Sequence, residues 1–160
     1  MEFDAFTDAL DYPLYVVTAA AGDRYSGCLV GFASQCSIDP PQFAVWLSKA
    51  NHTHGVASDA SHLGVHVLDR HNRDLAALFG SLTGDDVDKF EHVAWHRDGT
   101  GVPVLTDVRT WFVGRIVSRF DGGDHTGFVL APVDVSDPVP APSPLLSFSD
   151  VQGLPPGHPA

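Results

Sequence analysis

Hydrophobic and polar residues alternate along much of the chain with the two-residue period of a β-strand. This pattern predicts strands over residues 14–20, 25–37, 42–49 and 62–69, and a hairpin made of residues 109–120 and 125–136. The second run, "YSGCLVGFASQCS", is predicted as one long strand. Five or more strands with only short helices between them favour an antiparallel barrel over a sheet built from βαβ units.

Three shorter stretches are predicted to be helices, namely residues 2–11, 51–60 and 72–82. In the first, Phe3, Phe6 and Leu10 share one side, acidic residues fill the other, and Pro13 ends the helix. In the third, apolar residues form one stripe and Asn72 is the expected N-cap.

The remaining segments are polar or rich in proline. Residues 83–105 are predicted to run over the surface as a long connection with only short helical or strand pieces. The chain is expected to form one domain over residues 1–136, followed by a proline-rich tail over residues 137–160. The tail is expected to be extended or partly disordered except where Leu145, Leu146 and Phe148 dock.

Composition narrows the possible partners. The chain has 9 basic and 20 acidic residues and a net charge of −11, so it would repel a nucleic-acid backbone. It has no apolar run near the roughly 20 residues that span a bilayer, and its acidic start lacks the basic and apolar parts of a signal peptide. We therefore expect a soluble, cytoplasmic protein with neither nucleic acid nor a membrane as partner.

The two cysteines are expected to stay reduced. Cys28 and Cys36 lie in the predicted long strand, which would separate them by about 26 Å at about 3.3 Å per residue. A disulfide needs Cα atoms within about 7 Å of each other.

Familiar catalytic motifs are absent from the sequence. There is no HExxH or CxxC pair, no GxSxG and no glycine-rich phosphate loop, so we expect no metal, no covalent nucleophile and no standard nucleotide fingerprint. The nine histidines include His52 and His54, but these lie two residues apart without a carboxylate or cysteine at a familiar ligand spacing.

Two other stretches could carry chemistry. Between residues 26 and 53, small residues would let a planar ligand approach the backbone, and donors for a phosphate follow at Lys49, Asn51, His52 and Thr53. The alternative for this stretch is a closely packed barrel corner with a capped helix start. In "FDGGDHTGFV", His125 follows turn residues and is either incidental to the hairpin or part of a site.

Four motifs occur in a fixed order over about residues 10–135. They are S-x-D-P-P at 37–41, S-x-x-x-x-T at 48–53, Asp88-Lys89-Phe90, and G-D-H at 123–125. With these motifs the chain resembles the flavin reductase-like proteins of the FMN-binding split-barrel superfamily. The resemblance implies a mainly β fold, a six-stranded antiparallel Greek-key split barrel that forms a homodimer with flavin at the subunit interface.

The resemblance also implies an activity. Family members bind FMN or FAD, reduce it with NADH or NADPH, and often supply reduced flavin to a partner monooxygenase. By the same resemblance, flavin lies along residues 28–37, its phosphate lies near residues 49–53, and His125 faces the nicotinamide as the catalytic candidate. The implied cofactor-binding residues are Cys28, Leu29, Val30, Ser34, Gln35, Cys36, Ser37, Lys49, Asn51, His52, Thr53, Lys89 and Phe90.

The sequence departs from the family pattern at four positions. Many relatives have threonine or serine where this chain has Leu29, Gly31, Phe32 and Gln35. Fewer side chains can therefore hydrogen-bond the flavin, and backbone N–H groups with Ser34, Gln35 and Ser37 are expected to contribute more.

Two alternatives remain open from the sequence. One is a flavin-binding electron-transfer protein that does not use NAD(P)H, because the chain has no dedicated dinucleotide motif. The other is a split-barrel relative with haem or a deazaflavin, for which His52 or His54 would be the axial ligand of the haem.

Overall fold

The computed structural model describes residues 2–81, 88–139 and 143–153. Within them, the strands are β1 (Tyr15–Ala21), β2 (Arg24–Val30), β3 (Ala33–Ser37), β4 (Gln42–Ser48), β5 (His62–Val67), β6 (Trp95–Arg97), β7 (Pro103–Leu105), β8 (Thr110–Asp121) and β9 (His125–Val135). The α-helices are α1 (Asp4–Thr7), α2 (His52–Ser58) and α3 (Arg73–Ser81). Three 3-10 turns cover Arg70–Asn72, Lys89–His92 and Phe148–Val151.

Seven strands form one antiparallel sheet in the order β2-β1-β5-β8-β9-β4-β3, and β6 pairs with β7 separately. Cys28, near one end of this order, and Val45, near the other, pack in the same buried cluster. The sheet therefore curls around a single core, which α2 covers with Val56 and Ala57. The mainly β, antiparallel prediction is confirmed, with seven strands in the sheet rather than six.

The prediction of one strand over residues 25–37 is wrong. β2 pairs with β1 as far as Val30, whereas β3 pairs with β4 from Ala33 onward, so the chain changes partner across Gly31 and Phe32. A two-residue period is the same on both sides of such a change and does not reveal it. Both cysteines are free as expected, although they lie on two different strands, Cys28 on β2 and Cys36 on β3.

β1 is buried on both faces. Val17 and Val16 are each 0% exposed, and they point to opposite sides of the sheet because the side-chain period of a strand is two. Val17 lies in the inner core, and Val16 packs in a second cluster with Phe79 of α3, Phe90 and Leu146. The connection before β8 (residues 88–105) and the C-terminal segment (residues 143–153) therefore form an outer layer over the sheet.

The predicted helices are present with changed ends. The third begins with the 3-10 turn, and its N-cap is Asp69, whose carboxylate accepts the His71 N–H at 2.8 Å. The N-cap prediction at Asn72 is wrong, because its side chain closes the capping box on the Asp69 N–H and also donates to the Asp107 carbonyl at 2.8 Å. Residue 82, the predicted end, lies outside the described residues.

Helix α1 is shorter than predicted and contains only one of the three apolar residues expected on its buried side. These residues, Phe3, Phe6 and Leu10, are 60%, 60% and 46% exposed. Among the described helices, none has the length and apolar character needed to cross a bilayer.

The connection over residues 83–105 is less superficial than predicted. It contains the expected short pieces, but β7 is fully buried, with the Pro103 carbonyl accepting a 2.7 Å hydrogen bond from the Thr18 hydroxyl. The backbone N–H of Leu105 donates to His66 Nε2 at 3.0 Å. Polar composition pointed to the surface, whereas these long-range bonds hold the strand against the sheet. Residues 82–87 lie outside the described residues.

Part of the proline-rich tail docks on the outer layer. Leu146 is 0% exposed, donates its N–H to the Leu68 carbonyl and accepts the Leu14 N–H, each at 3.0 Å. The Phe148 ring stacks on Tyr12 at a centroid distance of 5.0 Å, while Leu145 is 39% exposed.

Candidate functional site

Two adjoining compartments open near the point where the chain leaves β2. The first, here called the inner cleft, has a volume of about 290 Å³ and is bounded by the end of β2, by β4, by the start of β9 and by the C-terminal segment. The second, the outer pocket, has a volume of about 360 Å³. Phe32, Trp46 and His125 line both.

The inner cleft has a row of aromatic rings along one wall. The Phe148 and Tyr12 centroids are 5.0 Å apart, Tyr12 and Phe32 are 6.2 Å apart, and Phe32 and His125 are 5.1 Å apart. The polar lining includes Tyr12, Ser48, Asn51 and His125. An apolar, aromatic cleft with a few polar groups suits a planar heteroaromatic ligand.

His125 stands at the start of β9, where it pairs with Ser48 of β4. Its Nδ1 lies 2.7 Å from Asp124 Oδ1, and its side chain is 25% exposed. Because a carboxylate only accepts hydrogen bonds, Nδ1 carries the proton and Nε2 is the ring nitrogen left for other partners. The hydrogen bond from His125 lowers the pKa of Asp124.

The turn before His125 holds it in this position. The Gly122 N–H donates to the His125 carbonyl at 2.9 Å, and Gly123 has a φ of +101°, a conformation that favours glycine. The Lys49 N–H donates to the Asp124 carbonyl at 2.8 Å, which ties the turn to the end of β4. Lys49 Nζ lies 2.7 Å from Asp121 Oδ1, and this pairing lowers the pKa of Asp121.

The segment after β4, residues 49–53, contributes one residue to the lining of the inner cleft and one buried residue. Asn51 lines the inner cleft, and its Oδ1 accepts the Thr53 N–H at 2.9 Å as the N-cap of α2. Thr53 is 0% exposed, and its hydroxyl lies 2.7 Å from that of Ser26. His52 is exposed outside the cleft lining. The capped helix start that the sequence left as an alternative is thus present.

The residues expected on β3 lie apart from the inner cleft. β3 is the last strand in the sheet order, and the side chains of Ser34, Gln35 and Cys36 are exposed. Ser34 Oγ donates to the Gln35 carbonyl at 2.8 Å, and Gln35 Nε2 donates to the Ser37 carbonyl at 3.1 Å. The structure therefore brings Cys28, Leu29, Val30, Asn51 and His125 together and places the β3 group outside the cleft lining.

Lys89 and Phe90 lie behind β2 in the outer layer. Lys89 is 4% exposed and donates to the carbonyls of Phe79 at 3.1 Å and Gly27 at 3.4 Å, and burial lowers its pKa. The Phe90 ring packs edge-on against those of Tyr25, Phe79 and Trp95. The Asp88-Lys89-Phe90 motif thus supports the strand that carries the cleft and does not line the cleft.

At two glycines of this region, an aromatic side chain of the protein packs closely against the backbone. A Cβ on Gly31 would collide with the Tyr12 ring, and one on Gly27 would lie 2.8 Å from the Phe79 ring. Small residues were expected to let a ligand approach the backbone, and at these two positions aromatic side chains take that place. Cys28 is 2% exposed, and burial raises the pKa of its thiol to about 11, which disfavours the reactive thiolate form.

Sequence reasoning missed Tyr12, Trp46 and Phe148 as lining residues. They lie far apart in the chain and share no motif, and only their aromatic character could have drawn attention to them.

Among the described residues, no three His, Cys, Asp or Glu side chains cluster as metal ligands would. His54 Nε2 lies 2.8 Å from the Thr126 hydroxyl. Buried His66 bridges the Val16 carbonyl and the Leu105 N–H.

Comparison with known proteins places this geometry in a family. The chain is 32% identical over 136 residues to a ferric-chelate reductase (NAD(P)H) of Archaeoglobus fulgidus, covering 84% of this chain and 80% of the relative. It is 33% identical over 149 residues to an NADH:riboflavin 5'-phosphate oxidoreductase of Streptomyces pristinaespiralis, covering 90% and 83%.

A solved structure is also similar. An FMN-binding protein of Thermus thermophilus with bound 1-cyclohex-2-enone superposes with a TM-score of 0.76 at 27% identity, covering 82% of this chain and 74% of that one. The family model of the flavin reductase like domain matches residues 7–152. The chain therefore belongs to the flavin reductase like family.

Proposed function

We propose that this chain is an NAD(P)H-dependent flavin reductase that uses FMN, with FAD as the alternative flavin. The single observation that carries the proposal is the aromatic inner cleft with His125 at its boundary, within a chain of the flavin reductase like family. Relatives named for the reduction of FMN with NADH support the choice of substrates.

The inner cleft fits a planar ring. Its lining includes the rings of Tyr12, Phe32 and Phe148 and the residues at the end of β2. A flavin bound there would supply a ring system that accepts two electrons as a hydride from a nicotinamide. The protein's task is to hold the two rings in contact and to exclude water, which needs positioning more than acid–base chemistry.

In this proposal the outer pocket receives the nicotinamide end of the dinucleotide. His125 lies between the two compartments, and Asp124 holds its ring, so His125 is a positioning and electrostatic residue next to the reductant. Lys49 is 41% exposed beside this region, and in this proposal its cation exchanges the Asp121 carboxylate for a phosphate of the bound ligand despite the net charge of −11.

We propose that the chain acts as a homodimer in which β3 completes the flavin site. The exposed side chains of Ser34, Gln35 and Cys36 on the last strand of the sheet are available to a second copy. Ile38, which directly follows this strand, is 85% exposed. Light scattering of the purified chain would measure the oligomeric state directly.

A partner monooxygenase is proposed as the consumer of reduced flavin. The chain is 31% identical over 134 residues to HsaB of Mycobacterium tuberculosis, which is named as the reductase subunit of a flavin-dependent monooxygenase. Reduced flavin released into aerated solution reacts with oxygen, so a consuming enzyme has to take it up rapidly.

The test is a visible spectrum of the purified chain, followed by anaerobic addition of NADH or NADPH. Loss of the flavin band, or reduction of added FMN or FAD by a colourless protein, is the expected result. A bound flavin that neither dinucleotide reduces would overturn the reductase and indicate an electron carrier. A haem or deazaflavin spectrum would overturn the choice of cofactor.

A further inference from the structure

Phe32 occupies the boundary between the inner cleft and the outer pocket. It lies in the two-residue break between β2 and β3, where its carbonyl accepts the Trp46 N–H at 2.9 Å. The backbone is thus anchored to β4 while the side chain leaves the sheet. The residue lines both compartments and is 52% exposed.

The ring of Phe32 is held by two other rings. Its centroid lies 5.1 Å from that of His125 at an interplanar angle of 45°, and 6.2 Å from that of Tyr12 at 61°. These are offset and edge-on arrangements that aromatic pairs prefer. The Phe32 ring is therefore packed against the histidine that the proposed function places beside the reductant.

The proposed reaction requires contact between a ring bound in the inner cleft and a ring that enters through the outer pocket. Hydride transfer requires the reacting atoms to approach to about 3–3.5 Å, so no side chain can lie between the two rings in the reactive complex. Phe32, Trp46 and His125 form the shared boundary of the two compartments, and Phe32 is the exposed one of the three, so its ring is the part of that boundary which a ring entering through the outer pocket would displace. Since Phe32 is half exposed, it has room to turn toward solvent.

We propose that Phe32 is a specificity-determining residue of this site, because the reductant's ring must displace the Phe32 ring from its contact with His125 to reach the inner cleft. The inference rests on the proposed function and deepens it. The free energy needed to break the ring contacts of Phe32 makes the binding of the dinucleotide weaker. A reductant whose flat ring can replace those contacts is therefore favoured.

The test compares Phe32→Ala with the wild-type chain loaded with FMN. We expect the Kd for oxidised NAD⁺ or NADP⁺, measured by equilibrium dialysis, to fall roughly two- to tenfold, as the loss of one or two ring contacts implies. The KM for the reduced dinucleotide should fall in parallel, with kcat little changed. Phe32→Leu, which keeps apolar volume without an aromatic ring, should lie between the two.

Phe120→Ala is the matched control. Phe120 is 50% exposed, close to the exposure of Phe32, and it lines neither compartment. Its replacement should leave the Kd and the KM unchanged. Far-ultraviolet circular dichroism would establish that each variant is folded.

A Kd and KM that stay equal or rise in Phe32→Ala would overturn the proposal, since they would mean that Phe32 supports the reductant and is not displaced by it. Failure of the proposed function is a different result, namely a bound flavin that neither dinucleotide reduces in the wild-type chain. In that case the Kd of the oxidised dinucleotide alone decides the Phe32 proposal. A chain that binds neither the oxidised nor the reduced dinucleotide overturns both the proposed function and the Phe32 proposal.

Discussion

Asp124 Oδ1 accepts a 2.7 Å hydrogen bond from His125 Nδ1, so the His125 ring is oriented by the residue that precedes it in the chain. The carboxylate is 75% exposed and the imidazole 25% exposed, so the pair stands at the surface of the outer pocket. The orientation leaves Nε2 as the nitrogen that can meet a ligand.

His125→Ala is expected to raise the KM for the nicotinamide dinucleotide and to leave bound flavin in place. In the proposed function His125 contacts the reductant and is not the main support of the flavin ring. Steady-state kinetics with FMN in excess, together with the flavin content of the purified variant, would measure both effects. Loss of flavin with unchanged turnover per bound flavin would contradict this assignment.

Asp124→Ala should raise the same KM with a smaller effect on kcat, because the His125 ring loses the partner that orients it. Asp124→Asn keeps an oxygen acceptor, so its KM should stay closer to the wild-type value than that of Asp124→Ala. Asp134→Asn, which makes the same charge change at the far end of β9, is the control and should behave as wild type. An equal rise in KM for Asp124→Asn and Asp134→Asn would point to net charge instead of orientation.

Gly31→Ala should destabilise the fold and distort the inner cleft, because the added Cβ collides with the Tyr12 ring. Overpacking of this kind costs about 1–3 kcal/mol in the free energy of unfolding. Gly55→Ala in α2 is the matched control, since nothing lies within 4 Å of its added Cβ, and it should be neutral or slightly stabilising. Urea denaturation would measure both, and the double variant Gly31→Ala with Tyr12→Leu should recover part of the loss.

Leu146→Ala should lower the free energy of unfolding by about 2–5 kcal/mol, the usual range for removing a buried leucine. Leu146 is 0% exposed in the second buried cluster, where it packs with Val16 and Phe79. Leu145→Ala, at a residue that is 39% exposed, should cost much less. Similar midpoints in urea for the two variants would mean that the docked tail adds little to stability.

Acid should weaken the fold through His66. Burial holds the pKa of this fully buried histidine down at about 4, against 6.5 for an exposed one. The unfolded chain therefore takes up a proton below about pH 6.5 while the folded chain does not, so stability is complete above that pH and falls as the pH drops toward 4. The loss reaches about 3 kcal/mol at the lower end.

Urea denaturation at pH 7, 5.5 and 4.5 would test this pH dependence. His66→Gln should be less stable at pH 7 and should lose its share of the dependence between pH 6.5 and 4. A wild-type profile in His66→Gln would assign the acid sensitivity to other groups.

The sequence by itself determined the class of fold and the family. Alternation located the strands, with the hairpin of β8 and β9 close to its predicted limits, because one buried face imposes a two-residue period that a reader can count. The order of four short motifs indicated the flavin reductase family, which the family model over residues 7–152 confirms.

Only the tertiary structure decided which side chains meet in the cleft. Tyr12, Phe32, Trp46 and Phe148 come from four separate parts of the chain and are brought together by strand pairing and by docking of the tail. The break at Gly31 and Phe32 was invisible to periodicity because a strand that changes partner keeps its period. Local patterns record which face of a segment is buried, whereas the identity of its neighbour depends on contacts between residues far apart in the chain.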